Sequence, residues 1–84
     1  MKLYKFEADW CGPCHIMDKQ LKMFDKCDVV HYDVEEHEDL SDEYKVKNIP
    51  TMILVDDNGS ELFRWSGITS VNEINKKIDE LQNK

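Results

Sequence analysis

The chain is short and acidic. It has 84 residues, of which 18 are acidic and 11 basic, so its formal net charge is −7. This length predicts a single domain, residues 1–84, and a hydrophobic content of 40% is sufficient for a compact core. The negative charge would be repelled by nucleic acid and by anionic lipid, which excludes both as expected partners. No segment reaches the roughly 20 apolar residues that a membrane span needs, and we expect a monomer.

The amino terminus and the cysteine count predict a cytoplasmic protein. The first seven residues contain no apolar run of the kind found in a secretion signal. The three cysteines, Cys11, Cys14 and Cys27, are an odd number and do not suggest a framework of permanent disulfides. In a reducing compartment, a Cys-x-x-Cys pair is catalytic or binds a metal.

The first half of the chain alternates strand and helix patterns. Leu3–Ala8 predicts a short strand, and the β-branched and aromatic segment Val29–Val34 predicts a second one. The helix that begins at Pro13 is predicted from apolar residues spaced along one helical face, namely Ile16, Met17, Leu21 and Phe24. The charged segment Glu35–Lys47 predicts a short second helix, with few side chains directed inward.

The second half predicts a hairpin and a last helix. The continuous apolar run Thr51–Val55 is typical of a strand covered on both faces. Asp56–Gly59 predicts a tight turn, and Glu61–Trp65 is the returning strand. A capping box at Ser70–Glu73 begins the last helix. The order β-α-β-α-β-β-α predicts an α/β fold in which crossover helices make the first strands parallel and the hairpin makes the last pair antiparallel, giving a four-stranded mixed sheet flanked by three helices.

The segment Trp10-Cys11-Gly12-Pro13-Cys14 lies where the first strand gives way to the first helix. Two thiols separated by a Gly-Pro turn are close enough to form and break a disulfide with little movement of the chain. The unpaired N–H groups and the positive dipole end at a helix start favour a thiolate on Cys11. The pattern therefore predicts a reversible dithiol site.

Two other site classes share parts of this motif. Cys11, Cys14 and His15 match the attachment signature of c-type haem, but haem attachment requires export and its host proteins are mainly helical. Cys11, Cys14, Cys27 and His31 fit the spacing of a zinc finger. The last two ligands of a finger lie on a helix, whereas here they lead into a strand. Both classes are kept as alternatives to the dithiol.

The chain resembles the thioredoxin family over essentially its whole length, in a compact form without the first strand and helix of full-length members. The resemblance is carried by the motif Trp10–Cys14, by Ile49-Pro50-Thr51 at the start of the apolar strand, and by Gly59 and Gly67 around the hairpin. It implies a thioredoxin-like fold and a protein-disulfide reductase.

The resemblance also implies roles for individual residues. Cys11 is the attacking thiolate, exposed and with a lowered pKa, and Cys14 is the shielded resolving thiol. Pro50 is implied to follow a cis bond. No bound cofactor or metal is implied, because electrons arrive from NADPH through thioredoxin reductase or an equivalent. The substrates are disulfide-containing proteins, and the residues implied to bind them are Trp10, Gly12, Pro13, Ile49, Pro50 and Gly67.

Two positions, Lys5 and Ser66, depart from the family pattern, and two others, His15 and Cys27, are expected to have minor roles. Lys5 stands where the family usually has a buried Asp that assists proton transfer at the resolving cysteine. If its side chain reaches solvent rather than being buried, we expect its positive field to favour the thiolate and to make the protein a stronger oxidant. Ser66 makes the docking surface more polar, and His15 is expected to face solvent and to tune the thiols. Cys27 is expected to be a half-buried residue without a redox role.

Two further alternatives lie closer to the main prediction. A glutaredoxin-like protein would work with glutathione, but it is expected to carry Pro-Tyr rather than Gly-Pro between its cysteines. A thioredoxin-like module that only binds partners would not need both Cys11 and Cys14. The intact pair therefore favours an enzyme.

Overall fold

The computed structural model describes residues 1–83 and confirms the predicted order of elements. The strands are β1 (Lys2–Glu7), β2 (Asp28–Asp33), β3 (Thr51–Val55) and β4 (Glu61–Ser66), and the helices are α1 (Gly12–Leu21), α2 (Glu38–Glu43) and α3 (Val71–Gln82). Within these 83 residues, no helix has both the length and the apolar character needed to cross a membrane.

The strands form one mixed sheet in the order β2-β1-β3-β4. Strands β1 and β2 are parallel, and β3 is antiparallel to both of its neighbours. Parallel pairing is thus limited to the first two strands. Glu7 pairs with Asp33 and Phe6 with Thr51, so β2 ends and β3 begins at the same edge of the sheet. The connection between them does not recross the sheet, because a helix of six residues is only about 9 Å long.

Each face of the sheet carries its own part of the core. Side chains alternate along a strand, so Leu3 and Lys5 point to one face and Tyr4 and Phe6 to the other. The first face packs against α1 and α3 through the cluster Leu3, Met17, Leu21, Phe24, Met52, Leu54, Val71, Ile74 and Ile78. The second is covered by α2 and its flanking loops through Phe6, Ile53 and Val55 with Tyr4, Tyr32, Val34, Leu40, Tyr44, Val46 and Ile49. Strand β3 is buried along its whole length, as its apolar run predicts.

Helix α1 differs from the prediction in its buried face and in its end. Ile16, expected to point inward, is 49% exposed. The buried stripe consists of Cys14, Met17 and Leu21, and Ile16 lies about 100° around the helix from Met17. Counting Cys14 as an apolar residue would have set this register from the sequence. Phe24 is buried but lies beyond the helix end, where its N–H donates to the Leu21 carbonyl oxygen at 3.1 Å.

Helix α2 is shorter than the predicted segment 35–47, because local hydrogen bonds occupy both ends of that segment. Before the helix, Asp33 Oδ1 accepts the Glu35 N–H at 2.8 Å, and the Asp33 carbonyl oxygen accepts the His37 N–H at 2.9 Å. These two bonds form a turn. At the other end Lys45 has a φ of 54°, and the Val46 N–H donates back to the Ser41 carbonyl oxygen at 2.9 Å. A left-handed residue of this kind ends a helix.

Helix α3 begins at the predicted cap. The Ser70 hydroxyl oxygen accepts the Glu73 N–H at 3.3 Å. The side-chain oxygen of Gln20 accepts the Val71 N–H at 3.0 Å. One of the unpaired N–H groups at the start of α3 is therefore bonded by a side chain of α1, which fixes the two helices against each other on the same face of the sheet.

The observed register of α1 can be tested at Ile16, with Ile78 of α3 as a buried reference for the same substitution. Ile78 is fully buried and Ile16 is half-exposed. We expect Ile78→Ala to lower the free energy of unfolding by about 2–5 kcal/mol, because it leaves a cavity in the core. Ile16→Ala should change it by about 0.5 kcal/mol or less, since a surface contact is lost. Urea titration of both variants measures the difference, and equal losses would contradict the register.

Candidate active site

The two cysteines of the motif are joined at the start of α1. Cys11 and Cys14 form a disulfide, with their Cα atoms 5.3 Å apart. Cys11 caps the helix, and its Sγ accepts the backbone N–H of Cys14 at 3.2 Å. Pro13 lies in the first turn, where the missing N–H leaves no hydrogen bond unmade. The helix start thus directs an N–H group and its positive dipole end at the sulfur of Cys11.

Both cysteines are buried in this disulfide form. Cys11 is 5% exposed and Cys14 only 1%, so the expectation that Cys11 is exposed is wrong for this state. The pair packs with Ala8, Val34 and Ile49. Exposure therefore differs little between the two sulfurs. Their difference is one of position, since only Cys11 stands at the helix cap.

Exposed apolar and small residues surround the disulfide in the sequence. The side chain of Trp10 is 70% exposed, and Gly12 and Pro13 are exposed as well. The indole Nε1 of Trp10 donates to Glu35 Oε1 at 3.0 Å, which ties the motif to the turn before α2. Ile68, 52% exposed, adds an apolar side chain that the sequence analysis did not include. Ile68 follows Gly67 directly in the sequence, and this position could have identified it as a candidate site residue.

The second part of the site is formed by the loops before β3 and after β4. The Ile49–Pro50 bond is cis, as the resemblance implies, and Pro50 is fully buried. The Pro50 carbonyl oxygen accepts the Gly67 N–H at 2.8 Å. Gly67 has a φ of +81°, a conformation that favours glycine. Ile49, in turn, packs against the two cysteines, so this loop adjoins the disulfide.

Lys5 is buried below α1 with a set of partners that the sequence did not reveal. Its side chain is 1% exposed, and its Nζ donates to Glu7 Oε1 at 2.7 Å and to Asp18 Oδ1 at 2.6 Å. His31 Nδ1 lies 2.8 Å from Glu7 Oε1 and 3.9 Å from Asp18 Oδ1. These four residues, the Lys5 cluster, come from β1, α1 and β2. Among the described residues, Lys5 is the one charged side chain that is fully buried.

The Lys5 cluster contains a set of possible metal ligands. In the part of the chain that the structure describes, one group of three potential ligands lies within 4.8 Å: Glu7, Asp18 and His31. The Lys5 ammonium already bonds to both carboxylates, so a fixed positive charge stands where a metal ion would bind. The cluster therefore fits an internal ion pair better than a metal. The alternative zinc set is not assembled, because its first two sulfurs form the disulfide and its histidine is bonded to Glu7.

The remaining candidates are peripheral. His15 is exposed as expected, and its Nε2 lies 2.8 Å from the Asp9 carbonyl oxygen. Cys27 is a free, half-buried thiol. Burial raises its pKa, because an apolar environment disfavours the thiolate. Cys27 is therefore a weak nucleophile at neutral pH.

With this geometry established, comparison with known proteins decides the family. Residues 2–82 match the family model of a thioredoxin-like domain. This chain belongs to the thioredoxin family. Among solved structures, thioredoxin 1 from Thermosipho africanus TCF52B superimposes with a TM-score of 0.81 at 27% identity, over 100% of both chains. Thioredoxin NaTrxh from Nicotiana alata gives 0.79 at 32% identity, over 94% of this chain and 70% of that one.

Curated thioredoxins are also similar to this chain in sequence. Thioredoxin H2 of Arabidopsis thaliana is 35% identical over 81 residues, which cover 92% of this chain and 59% of the relative. Thioredoxin Y of Oryza sativa subsp. japonica, a chloroplastic protein, is 33% identical over 82 residues, which cover 92% and 48%. This thioredoxin-family chain thus spans about half the length of the curated relatives it matches.

The reactivity of Cys27 can be measured in the oxidised protein, where it is the one free thiol. Its raised pKa leaves less thiolate at neutral pH, so iodoacetamide should alkylate it more slowly at about pH 7.5 than a peptide cysteine with a pKa of about 8.5. The oxidised protein unfolded in denaturant is the matched control. A folded rate equal to or above the unfolded rate would contradict this placement.

Proposed function

We propose that this thioredoxin-family domain is a thiol–disulfide oxidoreductase that reduces the disulfides of other proteins. The observation that carries the proposal is the position of the Cys11 sulfur at the start of α1, where it accepts the Cys14 N–H and shares a disulfide with Cys14. A helix start lowers the energy of a thiolate, and the thiolate is the form that attacks a disulfide.

The reaction proceeds through two exchanges of sulfur. In the reduced domain the Cys11 thiolate attacks one sulfur of a substrate disulfide. This forms a mixed disulfide and releases the other substrate sulfur as a thiolate, which takes a proton from water. Cys14, after losing its own proton, attacks the Cys11 sulfur and releases the second substrate thiolate. Two electrons pass to the substrate, and the domain returns to the Cys11–Cys14 disulfide.

The substrate segment is proposed to lie across the two halves of the site. Trp10, Gly12 and Pro13 supply the side on the motif, and Ile49, Pro50 and Gly67 supply the side on the two loops. An extended segment can then pair with the main chain at Ile49 in the manner of strand addition. Ser66 at the end of β4 is exposed and adds a polar group at the rim.

The electron donor and the cellular setting are also part of the proposal. We infer reduction by NADPH through thioredoxin reductase or an equivalent, with no bound cofactor, and a monomer that acts in cytoplasmic electron transfer and redox homeostasis. The free thiol of Cys27 supports a reducing compartment, since an unpaired cysteine is unusual where disulfides persist.

Lys5 and His15 are proposed to tune the thiols. The field of the Lys5 ammonium is offset by the two carboxylates bound to it, so its effect depends on Glu7 and Asp18 as well as on its own charge. The exposed imidazole of His15, beside Cys14 in the chain, is the second group proposed to act on the thiols.

The assignment of the two cysteines predicts different outcomes for their serine variants in an insulin disulfide-reduction assay. Cys11→Ser should abolish turnover because the nucleophile is lost. Cys14→Ser should also abolish turnover but accumulate a mixed disulfide at Cys11, visible by mass spectrometry. Cys27→Ser, the matched control, should keep the wild-type rate. Full turnover of either of the first two variants would contradict the assignment.

The proposed electron donor leads to a second prediction, which concerns how the oxidised domain is reduced. The oxidised domain should be reduced by NADPH with thioredoxin reductase and not at a comparable rate by glutathione alone, because the residues between its cysteines are Gly12 and Pro13. NADPH consumption at 340 nm follows both reactions, provided that NADPH and glutathione reductase are added to the glutathione arm to regenerate the glutathione. Preferred reduction by glutathione would favour the glutaredoxin-like alternative instead.

A further inference from the structure

Cys14 needs a proton acceptor in the resolving step. Its side chain is 1% exposed and packs with Ala8 and Cys11, so bulk water does not reach it freely. A buried thiol gives up its proton reluctantly, because an apolar environment disfavours the thiolate. Resolution of the mixed disulfide therefore depends on a group close enough to take that proton, directly or through one water molecule.

Asp18 lies one helical turn after Cys14 on the same helix. Residues four apart on an α-helix have Cβ atoms about 5–6 Å apart, which allows a single water to join their polar atoms. The Asp18 side chain is 40% exposed, so its carboxylate can exchange a proton with solvent. It also lines an open cleft of about 360 Å³ together with Lys22 and His31.

Lys5 fixes this carboxylate from below. Its Nζ donates to Asp18 Oδ1 at 2.6 Å, and the 3.9 Å contact from His31 Nδ1 reaches the same oxygen. Both contacts use Oδ1, which leaves Oδ2 to receive a proton. Since Lys5 is buried and also bonded to Glu7, it holds the carboxylate in one place beside α1.

We propose that Asp18, positioned by Lys5, accepts the proton of the Cys14 thiol when Cys14 attacks the mixed disulfide. The inference deepens the proposed reductase function and rests on it. The S–H bond of Cys14 breaks and its proton moves to the Asp18 carboxylate. The new sulfur–sulfur bond forms between Cys14 and Cys11 as the bond from Cys11 to the substrate sulfur breaks. Asp18 then releases the proton to solvent, and the substrate thiolate takes one from water.

Other titratable groups around Cys14 fit this role less well. Glu7 Oε1 is shared between Lys5 and His31, and Glu7 lies on β1 rather than on the helix of Cys14. The His15 ring is directed at the Asp9 carbonyl oxygen.

Two further charged residues are Lys22, which lines the same cleft directly after α1, and Asp9, which lies between β1 and the motif. Lys22 is a cation, so it cannot accept the proton. Asp9 is exposed and precedes the motif, which places it outside the interface between β1 and α1.

The direction in which Asp18→Asn changes the rate of the resolving step distinguishes a proton acceptor from a group that acts only through its charge. Asp18→Asn removes the acceptor but retains the shape and an oxygen for the Lys5 ammonium. If Asp18 acted only through its negative charge, its loss would favour the Cys14 thiolate and speed the resolving step. If Asp18 accepts the proton, the resolving step of Asp18→Asn should be slower than that of the wild type at low pH. The variant should recover at high pH, where the Cys14 thiol ionises without an acceptor.

The experiment is a stopped-flow measurement of both exchange steps with a small aromatic disulfide whose released thiol absorbs light. We expect Asp18→Asn to slow resolution about tenfold or more near pH 6.5 and to approach the wild-type rate near pH 9.5. The first exchange at Cys11 should change little. Asp25→Asn, which removes the same charge from an exposed position after α1, is the matched control and should leave both steps unchanged.

A second variant tests the part played by Lys5. In Lys5→Met the carboxylate loses its ammonium partner while the buried stem keeps its volume. Resolution should slow with the same pH dependence, and adding Asp18→Asn should have little further effect, because the two residues act as a unit. Independent, additive losses would contradict a positioning role for Lys5, whether or not the proton passes to Asp18.

The outcomes keep the two proposals distinct. Absence of aromatic thiolate release by the wild type, together with absence of a mixed disulfide at Cys11 in Cys14→Ser, would overturn the reductase function and this inference with it. Normal first exchange with unchanged, faster or pH-independently slowed resolution in Asp18→Asn would overturn the inference alone. Slowing of the resolving step that disappears at high pH supports both.

Discussion

The hydrogen bond from the Cys14 N–H to the Cys11 sulfur is the interaction on which the site depends. It exists because α1 begins immediately after Cys11, with Gly12 and Pro13 in its first turn, where no residue supplies a side-chain oxygen cap. The sulfur therefore serves as the cap of the helix. A helix start stabilises negative charge, and in the proposed mechanism this favours the thiolate of Cys11.

The Lys5 cluster links this helix to the sheet in a second way. An ammonium at 1% exposure is costly to remove from water, and its bonds to Glu7 and Asp18 offset that cost. Because Asp18 belongs to α1 and Glu7 to β1, the ion pair also fixes the helix relative to the strand that leads into the motif. A chain of 84 residues has a small core, and here a charged group occupies part of it.

The sequence predicts the features that local rules govern. The apolar run Thr51–Val55 and the Ser70 cap are found where expected, since burial on both faces and capping leave strong local patterns. It does not predict the end of α2, which the left-handed Lys45 determines, or the outward position of Ile16. The Lys5 cluster is also absent from any local pattern, because its four residues come from three elements that meet only in the folded chain.

The central claim is that the helix start makes Cys11 easier to ionise. The most direct test is the ultraviolet absorbance of the thiolate, recorded against pH for the reduced protein and for Cys11→Ser, with the difference assigned to Cys11. The account predicts a midpoint clearly below the ordinary cysteine pKa of about 8.5. A midpoint at or above that value would contradict it.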